Sequence, residues 1–188
     1  MKLKPSKWAL FQKRVKFLVS IVSGEGIELD PEVEAVAKWP TLQSLTEVRA
    51  FVALARYYRR HFRSFAVIAR PLHELTKKNV RFYWGSQQES VIQALKKALV
   101  NAPLLAMPMD EGGYVLDTDA NNFSMGCVLQ QWQKEELKVT GYASKAFLDT
   151  DLTYCTTRRE LAAVMFVLTY YQHFLLGFPF VLHTDHVA

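Results

Sequence analysis

The sequence predicts an α+β fold in which a helical region is followed by a mixed α/β domain. Two capping boxes indicate the helical region, Ser44 with Glu47 and Ser86 with Glu89, and each is followed by apolar residues at helical spacing. Beyond Pro103 the pattern changes to short apolar runs, which are typical of β-strands. The break between the two patterns, near residues 101–110, is the predicted domain boundary.

Local signals predict the elements that precede this boundary. Residues 15–22 form an apolar strand, residues 23–26 a turn, and residues 27–29 are expected to pair back. Asp30 and Pro31 predict a short helix. The first capped helix should bury a face made of Val48, Phe51, Val52, Ala55, Tyr58 and Phe62. The second capped helix should bury Val91, Ile92, Leu95 and Leu99 and end at Asn101. A short helical stretch is expected after Arg70, and residues 80–84 are expected to be extended.

The α/β domain is predicted to contain four strands and one long helix. The strands are expected at residues 114–119, 125–130, 138–143 and 178–184. The helix lies between the third and fourth strands, is capped by Thr156 or Thr157, and runs to about Phe174. Its inward residues are predicted to be Leu161, Val164, Met165, Leu168 and Tyr171.

The composition indicates a globular protein with a mild excess of positive charge. Half of the residues are hydrophobic and 22% are charged, as in ordinary globular proteins. Lys and Arg number 23 against 18 Asp and Glu, and this mild excess of positive charge favours an anionic partner. The two cysteines, Cys127 and Cys155, lack zinc-site spacing and are expected to be reduced thiols. The longest apolar stretch, residues 161–171, is too short to span a membrane. We therefore expect no membrane partner and an intracellular location, cytoplasmic or nuclear.

Three acidic residues occupy positions from which they can converge. Asp119 ends the first predicted strand of the α/β domain, Asp185 ends the fourth, and Glu160 lies near the start of the long helix. If the first and fourth strands are neighbours, the carboxylates meet at one end of the sheet, where Mg²⁺ or Mn²⁺ would offset their repulsion. The alternative is that Asp119 forms a turn, Glu160 interacts with the helix dipole, and Asp185 is an ordinary surface residue.

Four arginines form a second candidate site. Arg49, Arg56, Arg60 and Arg63 recur at intervals of 7, 4 and 3 residues, opposite the apolar face of the first capped helix. A row of guanidinium groups matches a nucleic-acid backbone and can position a duplex without reading its sequence. The alternative is the solvated polar face that every amphipathic helix carries.

The acids lie in segments that resemble the ribonuclease H motifs of gypsy-type LTR retrotransposons. The first motif is Leu-Asp-Thr-Asp-Ala-Asn at 116–121, followed by Gly-Cys-Val-Leu at 126–129. The second is Tyr-Cys-Thr-Thr-Arg-Arg-Glu-Leu at 154–161, and the third is His-Thr-Asp-His at 183–186. The resemblance implies that Asp119, Glu160 and Asp185 are the catalytic residues and bind the catalytic Mg²⁺, or Mn²⁺.

The first half of the chain resembles the same family. Residues 3–7 through 17–18 and residues 21–23 are similar to the end of the reverse-transcriptase palm, including the strands that grip the primer. Residues 39–41 and 47–60 resemble the thumb. The resemblance therefore implies three regions, which are the end of the palm at 1–29, a thumb-like helical region at 30–102, and a ribonuclease H-like domain at 103–188. The last of these is expected to be C-terminally truncated.

The implied function is that of a fragment of a retrotransposon reverse transcriptase and ribonuclease H. It would bind RNA–DNA hybrid or duplex, and its ribonuclease H-like part would hydrolyse the RNA strand. The polymerase aspartates of the family are absent from the sequence, and a fourth metal-binding acid is expected to be missing, so enzymatic activity is left open. Further partners would be the missing palm, fingers and C-terminal segments. The alternative is a non-catalytic nucleic-acid-binding relic or a domesticated remnant.

Overall fold

The computed structural model describes residues 11–18 and 20–185. The strands, in chain order, are β1 Arg14–Phe17, β2 Ser20–Ser23, β3 Gly26–Leu29, β4 Tyr114–Ala120, β5 Ser124–Gln133, β6 Glu136–Ala146 and β7 Phe180–Thr184. The α-helices are α1 Glu34–Ala37, α2 Leu45–Tyr57, α3 Phe65–Ile68, α4 Arg70–Leu75, α5 Ser86–Val100, α6 Thr156–Tyr170 and α7 Gln172–Leu175. Short 3₁₀ turns cover Pro31–Val33, Arg59–His61 and Asp151–Thr153.

The first three strands form an antiparallel sheet in the order β1-β2-β3. The single strand predicted at residues 15–22 is divided in two, because the chain turns back at Leu18, whose φ of 56° lies in the left-handed region. The predicted return of residues 27–29 is confirmed, and Ile27 pairs with Val22. Residues 3–7, which carry the start of the palm resemblance, lie outside the described residues.

The helical region packs around the predicted face of α2. All six residues of that face, from Val48 to Phe62, are buried, as predicted. Ser44 caps the helix by accepting a hydrogen bond from the Glu47 amide at 3.3 Å, while the Glu47 carboxylate accepts one from the Gln43 amide at 2.8 Å. The helix ends at Tyr57, however, so the last two residues of the face reach the core from the following turn.

Helix α5 begins one residue away from its predicted cap. Gly85 precedes the first turn, and its amide donates a hydrogen bond to Gln88 Oε1 at 3.2 Å. Ser86 is therefore the first helical residue, and the prediction that it caps the helix is wrong. Gly85 has an extended backbone that any residue can adopt, and glycine is one of the residue types that commonly precede a helix. The predicted inward residues Ile92, Leu95 and Leu99 are buried.

The second sheet has the strand order β6-β5-β4-β7. Strand β5 is antiparallel to both of its neighbours, β4 and β6, whereas β7 runs parallel to β4 with Tyr114 opposite Phe180 and Thr118 opposite Thr184. The prediction of four strands in this domain is confirmed. The first and fourth strands are neighbours, which was the condition for convergence of the acids.

Helix α6 packs on one face of this sheet, and its predicted inward stripe is confirmed only in part, by Tyr171 just after the helix, which is buried. The residues it buries against the sheet are Glu160, Ala163 and Val167, whereas Leu161 and Met165 are 61% and 58% exposed. Apolar residues occur on nearly every side of this helix, so spacing alone defines no single inward face. The helix begins after Cys155, which offers no side-chain cap, and it ends at Tyr170. The prediction of a threonine cap and of one continuous helix to Phe174 is therefore wrong.

The two halves of the chain are packed together through the boundary segment. Leu105 exchanges backbone hydrogen bonds with Ile27 at 2.7 and 2.9 Å, and the Ala106 amide donates to the Val139 carbonyl at 2.8 Å. The Ala66 amide donates to Ser144 Oγ at 3.0 Å. The boundary segment thus joins the two sheets, and the helical region contacts the second sheet directly. In the part of the chain that the structure describes, no helix combines the length and the apolarity that a membrane crossing requires.

Candidate functional site

The strand register brings two of the predicted acids to one end of the second sheet. Strands β4 and β7 are parallel, and Thr118 lies opposite Thr184. The next residue on each strand is an aspartate, so Asp119 and Asp185 leave the sheet side by side at its carboxyl end. Both residues are exposed. Neighbouring ends of parallel strands are a common location for ligand sites in such sheets.

Glu160 reaches the same end of the sheet from helix α6. It is 7% exposed, which is low for a charged residue, and its Oε2 atom lies 3.5 Å from the hydroxyl of Thr184, which donates to it. Thr184 directly precedes Asp185, so Glu160 lies beside the end of β7. All three predicted acids therefore belong to one region of the molecule.

The three carboxylates are nevertheless not grouped around one point. Side chains alternate between the two faces of a strand, and Leu116 packs towards α6, so Asp117 and Asp119 face the other side of the sheet. Asp119 there lines a small depression together with Arg63. Across residues 11–18 and 20–185, no three His, Cys, Asp or Glu side chains are arranged to hold a metal ion. The chemistry of the donors suits Mg²⁺, but the observed side-chain arrangement is open.

Asp117 is a site residue that the sequence analysis did not single out. Its Oδ1 atom lies 2.8 Å from Nδ1 of His183, and its Oδ2 atom accepts a hydrogen bond from Gln130 Nε2 at 2.6 Å. Asp117 thereby connects β4 with both neighbouring strands, two residues before Asp119. A signal was present, because Asp117 and His183 stand at equivalent positions in the first and third motifs, each two residues before a predicted acid.

The four arginines do not share one helix. Arg49 and Arg56 are exposed on α2, but the helix ends at Tyr57, and Arg60 lies in the 3₁₀ turn that follows. Arg63 lies beyond that turn and lines the depression beside Asp117 and Asp119. The predicted single stripe is thus bent towards the second sheet. None of the four forms an ion pair with a carboxylate of the described residues.

Comparison with known families identifies the class of protein. The model of the RNase H-like domain found in reverse transcriptase matches residues 84–182, from just before helix α5 into strand β7. This match covers more than half of the chain. The chain therefore belongs to the family of RNase H-like domains found in reverse transcriptases.

Its relatives are retrotransposon Pol polyproteins, as the motifs of the second sheet indicated. The chain is 32% identical to the Pol polyprotein of transposon 412 from Drosophila melanogaster over 99% of its length, and 30% identical to that of transposon gypsy over 99%. It is 29% identical to the transposon Tf2-3 polyprotein of Schizosaccharomyces pombe over 96%. It spans only 15%, 19% and 14% of these relatives, respectively.

Solved structures share the fold. A foamy viral protease–reverse transcriptase in complex with RNA/DNA hybrid superposes with a TM-score of 0.81, at 22% identity, over 97% of this chain and 25% of the viral chain. The same viral protein in complex with double-stranded DNA superposes with a TM-score of 0.79 over 97% of this chain and 39% of the viral chain. The mixed sheet and its helices are therefore an architecture found in reverse transcriptases.

Proposed function

We propose that this chain binds RNA–DNA hybrid or duplex nucleic acid as part of a reverse transcriptase, and that its RNase H-like domain is a metal-dependent hydrolase of the RNA strand. The observation that carries the proposal is the parallel pairing of β4 with β7, which sets Asp119 beside Asp185 with Glu160 next to the end of β7. Family membership supports the same reaction. In this proposal residues 1–29 correspond to the end of the palm, and residues 30–102 to the thumb.

The metal in this proposal is Mg²⁺ or Mn²⁺, held by Asp119, Glu160 and Asp185. When bound, such an ion supplies an activated water and stabilises the charge that develops on a phosphodiester. Three carboxylates brought together without a cation repel one another. A cation held among them would offset that repulsion. Asp117, held by His183 and Gln130, would position the end of β4.

The nucleic-acid surface in this proposal consists of Arg49, Arg56, Arg60 and Arg63. Their guanidinium groups are free of carboxylate partners among the described residues, so they keep their full charge for phosphates. The foamy viral structures that share this fold are complexes with RNA/DNA hybrid and with double-stranded DNA, which supports a nucleic-acid ligand here. Because Arg63 lines the same depression as Asp119, the bound strand would extend to Asp119.

Metal binding can be tested apart from catalysis. Titration calorimetry with Mg²⁺ and with Mn²⁺ should show binding to the 188-residue chain. Asp119→Asn should weaken that binding, whereas Asp149→Asn, which changes an exposed aspartate in a loop after β6, should leave it unchanged. Cleavage of the RNA strand of a hybrid should follow the same pattern. Equal metal affinity in the two variants would refute the assignment of Asp119.

Nucleic-acid binding can be tested through its dependence on salt. The logarithm of affinity should fall with the logarithm of salt concentration at a slope of about −0.9 for each phosphate neutralised, so the double variant Arg56→Ala with Arg60→Ala should flatten the slope by roughly 2. Arg81→Ala removes an exposed arginine from the segment before α5 and is the matched control. An unchanged slope in the double variant would mean that these arginines form only a solvated face.

A second candidate function is a binding module without catalysis. The observation that favours it is the open arrangement of the carboxylates, of which Asp119 faces away from α6 while Glu160 lies on α6. A chain of this kind would bind hybrid with the salt dependence described above but would neither bind Mg²⁺ at Asp119 nor cleave RNA. The metal titration and the salt dependence of hybrid binding together therefore distinguish a nuclease from a binding module.

A further inference from the structure

A groove outside the acidic region separates the helical part from the second sheet. Its cavity is about 330 Å³, which is at the lower end of the range for ligand pockets, roughly 300–1,000 Å³. One wall comes from the turn after α2, the floor from β6, and the other wall from the end of α6 and from α7. Its lining residues are Arg60, Thr140, Gly141, Tyr142, Tyr170, Tyr171, His173 and Phe174.

The groove combines positive charge with aromatic rings. Arg60 and Tyr170 also line an adjoining hollow with Arg56 and Arg59, so the two hollows share a rim. Arg59 lies over the ring of Tyr170, 5.8 Å from its centroid. Within the described chain these three arginines have no carboxylate partner. An anion at the rim would therefore meet three uncompensated guanidinium groups.

Two buried hydroxyl groups in the groove provide an independent indication of a ligand. Thr140 and Tyr171 are 1% and 4% exposed, and neither Thr140 Oγ1 nor Tyr171 Oη has a hydrogen-bond partner among the described residues. Buried polar groups in folded proteins are nearly always paired, so such atoms indicate a bound molecule or water. Burial raises the pKa of the Tyr171 phenol well above its ordinary value, so its hydroxyl keeps its proton and can donate.

We propose that this groove binds one unstacked nucleotide of a single-stranded segment, with its phosphate at Arg60 and its base against Tyr170. The proposal rests on the proposed function, because it takes the ligand to be nucleic acid. Rings and arginines in one groove are the combination by which proteins hold single strands. The base of a duplex is covered on both faces by its neighbours, so an aromatic wall is useful only to a base that has left the stack.

The test compares two probes on the 188-residue chain by fluorescence anisotropy. One is a short blunt RNA–DNA hybrid, and the other is the same hybrid with an overhang of a few thymidines, tried at each end. The overhang should tighten binding, and Tyr170→Ala should reduce that advantage by roughly 5- to 150-fold, the usual effect of losing one stacked base. Tyr170→Phe should retain it. Arg81→Ala is the charge control and should leave the advantage unchanged.

The outcomes separate this inference from the proposed function. Equal affinity for both probes, with blunt binding intact, would overturn the groove assignment and leave the proposed function standing. Failure to bind either probe at low salt would overturn both. If Tyr170→Ala does not fold, photo-crosslinking of an iodouracil-labelled overhang to the unmodified chain decides the question. Crosslinks should map by mass spectrometry to Tyr142, Tyr170 or His173, and crosslinks confined to other segments would overturn the proposal.

Discussion

His61 lies in the turn after α2, where it joins the helical region to the boundary segment. Its ring is 3% exposed, and Nδ1 lies 3.3 Å from the carbonyl oxygen of Pro103. Burial lowers the pKa of His61 from its ordinary value of 6.5 to about 4; the bond to Pro103 opposes this shift, and the nearby charge of Arg60 adds to it. The folded chain therefore holds this imidazole neutral, whereas the unfolded chain protonates it in mild acid.

The size and sign of the effect follow from this difference. A base whose pKa is lower in the folded state favours unfolding as pH falls, because the unfolded chain then binds more protons. As the pH falls, the chain begins to lose this stability near the unfolded-state pKa of 6.5, and the loss is nearly complete at the folded-state pKa of about 4. The contribution of His61 to the free energy of unfolding should fall by about 2 kcal/mol from neutral pH to about pH 5, and by about 3 kcal/mol by about pH 4.

Urea denaturation across this pH range measures the effect. His61→Gln removes the titrating ring, so the difference in unfolding free energy between the wild type and this variant should shrink by about 2 kcal/mol as the pH falls to about 5. Phe62→Leu is the control, because it alters a buried neighbour without removing a titratable group, and its cost should not depend on pH. A His61→Gln difference that is constant across the range would refute the assignment of a neutral buried imidazole.

Three further substitutions test the packing and the backbone, each by urea or thermal denaturation. Leu99→Ala empties a fully buried position in the helical core and should cost about 2–5 kcal/mol, whereas Leu176→Ala, at a residue 77% exposed, should cost little. Ser44→Ala removes the cap of α2 and should cost about 0.5–2 kcal/mol. Gly112→Ala should cost more than about 1 kcal/mol, because φ is 90° and the added carbon would meet a backbone carbonyl oxygen of β5 at 2.1 Å. Gly24→Ala, with open space around it, should cost far less; equal costs at the two glycines would contradict the steric argument.

The sequence was sufficient to predict those elements for which one local signal is much stronger than the others. In α2 the capping serine marks the start of the helix, and the apolar spacing after it predicts the face that is buried in the structure. The four strands of the second sheet were recognisable from short apolar runs, and a helix between the third and fourth strands makes β7 run in the same direction as β4. That β4 and β7 are neighbours was only a condition of the prediction, and the structure supplies it. Under that condition, Asp119 and Asp185 could be placed at one end of the sheet.

Other features depend on contacts that a linear pattern does not contain. Leu161 and Met165 were predicted to be core residues, but α6 buries Glu160, Ala163 and Val167 against the sheet instead. Which residues of the helix are buried depends on how the helix is oriented on the sheet, and the sequence pattern does not contain that orientation. The arginine spacing is compatible with one long helix, but α2 ends at Tyr57. The sequence likewise placed the N-cap of α5 at Ser86, whereas the structure has it one residue earlier, at Gly85.

The end of α2 is what connects the two candidate sites. The chain leaves the helix through the turn of His61, passes Ser64 with a φ of 56°, and docks on the sheet where the Ala66 amide bonds Ser144. Because of this turn, Arg60 lines the groove beside β6, and Arg63 lines the depression beside Asp119. Had the helix continued straight, both arginines would have remained on its solvent face, away from the sheet. The anchoring contacts of His61 and Ser144 therefore help to set the spacing between Asp119 and the two arginines proposed to bind phosphates, even though they touch neither.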